Sequence, residues 1–174
     1  MLLRTMADEA HAPKYAHIER ERRWLVRTGA TPEDAATRCI RIEDRYIYGT
    51  RLRLRRMTDM ASGTCALKLT RKYDSADPLA RPIFAAYLDT ADYAALAGLP
   101  AQPLVKPRYE VRSGTHVYWL DRIEGVLAGL ALAEIELADA HALRAVTPSW
   151  AARDVSHESR YQGGSLARNG LPQE

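Results

Sequence analysis

The sequence predicts an α+β fold: mostly antiparallel strands closed into a barrel, with short helices between them. Three observations carry this. Charged and apolar residues alternate with a period of two through several short segments, as in strands with two unlike faces. Tight Gly-containing turns at Ser62-Gly63 and Ser113-Gly114 join such segments, a connection that suits antiparallel neighbours. The helical stretches are few and short, and they do not alternate with strands as in a doubly wound parallel sheet. No glycine-rich phosphate loop follows a strand, which removes P-loop and Rossmann sites.

The elements follow in order. Residues 14–27 read as the first strand. Thr31-Pro32-Glu33-Asp34 is a helix start, with Thr as N-cap, Pro at the first helical position and acids in the first turn, so a helix is expected over 31–39. Strands follow over 41–48 and 51–57 around a turn at Gly49, and a third runs over 64–73. The Pro- and charge-rich stretch 73–82 is a loop within one domain. Residues 83–89 are extended, and Thr90–Ala97 forms a short Ala-rich helix closed by Gly98. Residues 104–112 and 115–123 make a hairpin, 130–137 is a further strand, and 138–146 and 158–168 are helices.

Length and composition bound the rest. The chain has 174 residues, of which 47% are hydrophobic and 27% charged, so one domain over 14–174 is expected, with 1–13 as a flexible leader. The formal net charge of +3 is too small for a basic nucleic-acid binder, and double-stranded nucleic acid is not an expected partner. Cys39 and Cys65 make neither a disulfide framework nor a zinc site and point to a reducing compartment. No run approaches the ~18 apolar residues of a transmembrane helix, so a cytoplasmic protein with no membrane partner is expected, as monomer or homodimer.

Period two sorts the charges onto faces. Glu19, Glu21 and Arg23 share one face. So do Arg51, Arg53 and Arg55, with Leu52 and Leu54 opposite. Lys68, Thr70 and Lys72 share a face backed by Leu67 and Leu69. Lys106 and Arg108 share another, with Arg112 further along, and Glu134 and Glu136 share one backed by Ile135 and Leu137. Five strands that each present a row of charges suggest the lining of a wet bore. Carboxylates come from the first and last of these strands and cations from those between. Clustered carboxylates suit a hard divalent ion, and clustered Arg and Lys suit a polyanion, so together they specify a metal–polyphosphate complex. Three of the four lysines lie on these faces.

Each segment also has a plainer reading. Glu19 to Arg23 fits the i,i+4 face of a helix, residues 51–56 a solvated edge strand guarded by charge, and Glu134 with Glu136 an ordinary surface. Trp24, Trp119 and Trp150 read as packing residues.

These motifs resemble the CYTH superfamily, the triphosphate tunnel metalloenzymes. Glu19-Arg20-Glu21-Arg22-Arg23 is similar to the family's E-x-E-x-K strand, and Arg53-Leu54-Arg55 to its R-x-R. Leu69-Thr70-Arg71-Lys72 resembles L-T-x-K, Lys106-Pro107-Arg108 resembles K-x-R, and Glu134-Ile135-Glu136 resembles the late E-x-E. The resemblance spans roughly residues 14 to 168, in the family's order. It implies an eight-stranded antiparallel β-barrel forming a tunnel, with the helices outside. It implies that Glu19, Glu21, Glu134 and Glu136, with Asp121, hold Mg²⁺ or Mn²⁺. Arg23, Arg51, Arg53, Arg55, Lys68, Lys72, Lys106 and Arg108 would hold the phosphates, and Glu19, Glu21, Arg23 and Glu136 would carry the chemistry.

The implied activity is hydrolysis of inorganic triphosphate or of a small triphosphate such as a nucleoside triphosphate. The same resemblance admits an adenylyl cyclase making cyclic AMP from ATP, or a polyphosphate- or nucleotide-binding module without turnover. Arg23 favours the last, because it stands where the family usually has lysine and does not give up its proton at ordinary pH.

Overall fold

The computed structural model describes residues 14–173. The leader expected over 1–13 lies outside the described residues. The chain forms β1 (His17–Val26), β2 (Ala36–Ile47), β3 (Leu52–Asp59), β4 (Cys65–Lys72) and β5 (Ala80–Leu88), then helix α1 (Thr90–Ala97). It continues as β6 (Ala101–Ser113), β7 (His116–Arg122), β8 (Ala131–Glu136), α2 (Ala140–Ala145), β9 (Ala151–Asp154) and α3 (Gly163–Asn169).

Every strand pairing is antiparallel, and the sheet runs β5-β4-β3-β2-β6-β7-β8-β1-β9. The first half of β1 pairs back onto β5 (Glu19 opposite Arg81), which closes eight strands into a barrel. The second half of β1 is opposite β8 on one side, Glu21 facing Glu136 and Arg23 facing Glu134. On its other side β1 takes the outer strand β9, with Trp24 opposite Asp154. The expected eight-stranded α+β barrel is therefore the architecture found, except that α3, expected outside, lines the bore.

The apolar residues divide between the two faces of the wall. Outside, Trp24, Tyr118 and Ile135 pack with Leu79, Leu143 and Val146 as α2 covers β1 and β8. Beside them Val111, Leu120 and Ala133 are covered by Trp150. Inside, Leu104, Leu132 and Ile123 continue the faces that carry Lys106, Glu134 and Asp121, and they pack against Tyr161 and Leu166 from the C-terminal segment. That cluster gives the bore one apolar wall. No described helix is long and apolar enough to cross a membrane.

The structure corrects two expectations and adds a strand that was not expected. The helix expected over 31–39 is a single 3-10 turn at Pro32–Ala35 with Pro in its first turn. From Ala36 onward the chain instead enters β2, because residues 36–47 find partners along β6. Thr31 precedes that turn but makes no side-chain cap bond to a backbone N–H, its hydroxyl donating to Asp34 instead, and ladder pairing stops the helix after one turn. The helix expected over 158–168 divides into a 3-10 turn at Ser159–Tyr161 and α3, with Gln162 extended between them. The four-residue β9 carried no alternation long enough to read.

Candidate functional site

The inward faces enclose a cavity of about 540 Å³, within the range that holds small ligands. Nine cations line it against four acids: Arg23, Arg53, Arg55, Lys72, Lys106 and Arg108 inside, Arg51, Arg81 and Arg168 toward the rim, and Glu19, Glu21, Asp74 and Glu134. Period-two alternation on β1, β3, β4, β6 and β8 therefore brings most of the expected residues together.

Their local bonding is dense. Arg23 Nη2 is 2.7 Å from both Glu21 Oε1 and Glu134 Oε1, and its Nη1 donates to the Tyr161 carbonyl at 2.8 Å. Arg108 Nη2 bridges Asp121 Oδ2 at 2.7 Å and Glu134 Oε2 at 2.5 Å. Lys72 pairs with Glu19 and stands 3.9 Å from Glu21 Oε2. Arg53 Nη2 lies 3.4 Å from Thr70 Oγ1, while the buried Nε atoms of Arg53 and Arg23 have no hydrogen-bond partner.

Electrostatics follow from this packing. Burial opposes the charge on Glu134, yet Arg23, Arg108 and Lys106 hold its pKa well below the ordinary carboxylate value. Burial likewise opposes Glu19, and Lys72 more than offsets it. Burial lowers the Lys106 pKa, with Arg108 adding to the effect against Asp121. Arg23 is buried, but Glu134 and Glu21 push its pKa upward, so it stays a cation.

Five expected residues sit differently from the rest. Asp121 is fully buried and does not line the cavity, its oxygens being taken by Lys106 and by Arg108 at 2.6 and 2.7 Å. It is a counter-ion behind two cations rather than an acid facing the space. Glu136 is exposed at the end of β8 and lies outside this lining; burial and its neighbours Glu19 and Glu21 raise its pKa. Lys68 is also outside the lining, its ammonium 5.6 Å from the Tyr87 ring. Burial and the nearby Arg53 and Arg55 lower its pKa. Arg51 reaches the rim but is half exposed and paired with Asp74 at 2.7 Å. Arg112 is exposed beside Glu110.

Sequence reasoning missed Asp44, Tyr46, Arg81 and Arg168. In β2 the sequence Glu43-Asp44-Arg45 is charged on both faces, so alternation assigns no inward side. The flanking Ile42 and Tyr46, both even-numbered, held the only signal. Arg81 fell in a stretch read as loop, and Arg168 comes from the short α3.

The donor set bears on a metal. Glu19 and Glu21 converge on the Lys72 ammonium, which marks one position where two carboxylates meet a cation. Among the described residues no group of three or more His, Cys, Asp or Glu gathers to hold an ion by itself. Two carboxylates completed by phosphate oxygens are the usual surroundings of Mg²⁺, so the residues fit a metal that is bound jointly with substrate.

Fold and site together define an eight-stranded antiparallel barrel around a two-signed charged bore, the architecture that the resemblance implied. No protein-family model matches the chain and no curated protein matches its sequence. Solved structures share its shape. The inorganic triphosphatase NE1496 matches with a TM-score of 0.56 at 22% identity, over 86% of this chain and 93% of that one. A second structure of NE1496 gives 0.57 at 22% identity, over 86% and 97%. PH1819 from Pyrococcus horikoshii OT3 gives 0.51 at 20% identity, over 72% and 82%. At these identities the likeness is one of fold.

Proposed function

We propose that this chain hydrolyses inorganic triphosphate, or another small triphosphate, in the barrel cavity with Mg²⁺ or Mn²⁺. The observation that carries the reading is the lining itself: a majority of cations gathered around a carboxylate pair in one enclosed space. The shared fold of a protein named as an inorganic triphosphatase supports it.

Each residue has a part in this reading. Arg53, Arg55, Lys106 and Arg108 hold phosphate oxygens, the arginines through paired N–H groups. Their positions are fixed before substrate arrives, which favours charge redistribution in the transition state without reorganisation. Glu19 and Glu21 hold the metal, with Glu134 behind them keeping Arg23 and Arg108 in place. Glu136, opposite Glu21, adds a carboxylate at the end of the bore. A bound divalent ion supplies charge neutralisation and a more acidic water. Arg23 remains charged, so its part is electrostatic and not proton transfer.

The test is phosphate release from tripolyphosphate and nucleoside triphosphates with Mg²⁺ or Mn²⁺. Glu21→Gln and Arg53→Ala abolish release, whereas Arg20→Ala, on the outward face of β1, leaves it unchanged. No release from any of these substrates with either metal refutes hydrolysis. Tight binding without turnover selects the binding-module reading, which an Arg23 held by Glu21 and Glu134 favours, and cyclic AMP from ATP selects the cyclase.

A further inference from the structure

Asp44, like Asp121, is a buried acid beside the cavity that the proposed reaction leaves without a part. Its side chain is 0% exposed, and it does not line the cavity. Arg55 Nε donates to Asp44 Oδ1 at 2.6 Å and Arg55 Nη2 to Oδ2 at 2.7 Å, the two-pronged arrangement that fixes both distance and plane. Arg53 Nε stands 3.7 Å from the same Oδ1. We infer that Asp44 is a positioning residue for the phosphate site, clamping Arg55 from behind and drawing Arg53 alongside so that both guanidinium groups face the cavity.

The ladder makes this arrangement specific. Asp44 lies directly opposite Arg55, and Tyr46 directly opposite Arg53, on the neighbouring strands β2 and β3. Side-chain exposure grows from Asp44 at 0% through Arg55 at 9% to Arg53 at 16%, so the three are stacked from the back of the wall toward the space. A guanidinium has five N–H donors, and the Asp44 fork uses only part of them. The rest of the Arg55 donors, and the terminal nitrogens of Arg53, which also lines the cavity, remain for an anion. Asp44 also supplies the charge that lets Arg55 be buried at all, because a buried cation without a counter-ion is strongly disfavoured. The neighbouring arginines outweigh burial and hold the Asp44 pKa at about 2, so it is a carboxylate at any working pH.

The inference rests on the proposed function for its kinetic part and on anion binding alone for the rest. The experiment uses the full chain, with Asp44→Asn to remove the charge and Asp44→Glu to keep the charge on a longer arm. Thermal unfolding is followed with and without tripolyphosphate, and kcat and KM are measured well below each variant's Tm. D44N is expected to melt lower than the wild type without ligand, yet to gain a larger tripolyphosphate-induced Tm shift. The stranded Arg55 then takes its counter-charge from phosphate. Its kcat falls about 10- to 100-fold, as happens when a working side chain loses its supporting partner, with KM unchanged or lower. D44E keeps the wild-type ligand shift but loses kcat through a misplaced Arg55.

A D44N protein with lowered Tm but wild-type kcat, KM and ligand shift overturns the inference and leaves Asp44 a purely structural ion. If D44N does not fold, D44E decides, and wild-type kcat in that variant overturns the inference. If the wild type turns over no triphosphate, the proposed function fails while the D44N ligand shift still decides the positioning role. A shift no larger than the wild type's refutes it.

Discussion

One added methyl at Gly163 drives a carbon into Tyr46. A Cβ built there stands 2.1 Å from the Tyr46 hydroxyl oxygen, 3.1 Å from Cζ and 3.5 Å from Leu104 Cδ2. Ordinary van der Waals separation is well over 1 Å longer than the first of these. Tyr46 is partly buried against the Leu104 cluster, on a strand beside Asp44 and opposite Arg53, so its ring does not swing aside freely. Either α3 lifts from β6 or the ring is pushed toward the arginines. Overpacking of this kind costs about 1–3 kcal/mol. Without the clash, Gly→Ala at a helical position with negative φ would stabilise by about 0.5–1 kcal/mol, so the sign of the effect discriminates. The assay is urea unfolding of Gly163→Ala, Tyr46→Phe and the double variant, with the midpoint and slope read for each. Removing the hydroxyl leaves the 3.1 Å contact as the closest of those remaining, so the double variant is expected to recover at least half of the loss. Coupling between the two sites then shows in the cycle. A G163A protein as stable as the wild type, or a loss simply additive with Y46F, would falsify the account of α3 docking against the cavity wall.

The remaining predictions concern charge, capping and metal. The Asp44 pKa is lowered from 3.8 to about 2 on folding, so its stabilisation is complete above the unfolded value and is lost as pH falls through the folded one. The size is about 2 kcal/mol, and Glu134, also lowered, shifts in the same direction; urea midpoints compared at pH 6 and ~2 should fall, and constant midpoints would contradict the pairing. Asp89 caps α1 by accepting from the Asp92 amide at 2.8 Å, so Asp89→Ala should cost about 1 kcal/mol in thermal melts and leave turnover untouched. Chelating divalent ions should abolish phosphate release and adding back Mg²⁺ or Mn²⁺ should restore it. Undiminished release in excess chelator would rule out the metal requirement.

The barrel was legible because its wall has two chemistries. Arg53 and Arg55 alternate with Leu52 and Leu54, and Glu134 with Ile135, so period two named both the strand and its inward side. The same rule was silent on β2, where Glu43, Asp44 and Arg45 are all charged. There the inward acid was hidden although it sits opposite Arg55. The motif at Glu19 to Arg23 pointed to the right face but could not show that Arg23 is held by two carboxylates and a carbonyl from the C-terminal segment. Asp121 looked like one acid among several. Only its neighbours on β6, Lys106 and Arg108, reveal it as a buried counter-ion. Helix ends were least readable, since the Thr31-Pro32 start was overruled by pairing distant in sequence.

Because the bore's charges are matched inside the wall before any ligand arrives, they are heritable only as sets. Losing Asp44 alone strands Arg55, and losing Asp121 alone strands Lys106 and leaves Arg108 with Glu134 as its one carboxylate partner. A lineage that keeps this barrel but changes its ligand must therefore exchange acids and bases in the same step, or pass through folds weakened by a lone buried ion. Among descendants of such a chain, substitutions at these positions should arrive in company, whereas Arg51 and Arg81 at the rim can drift one at a time.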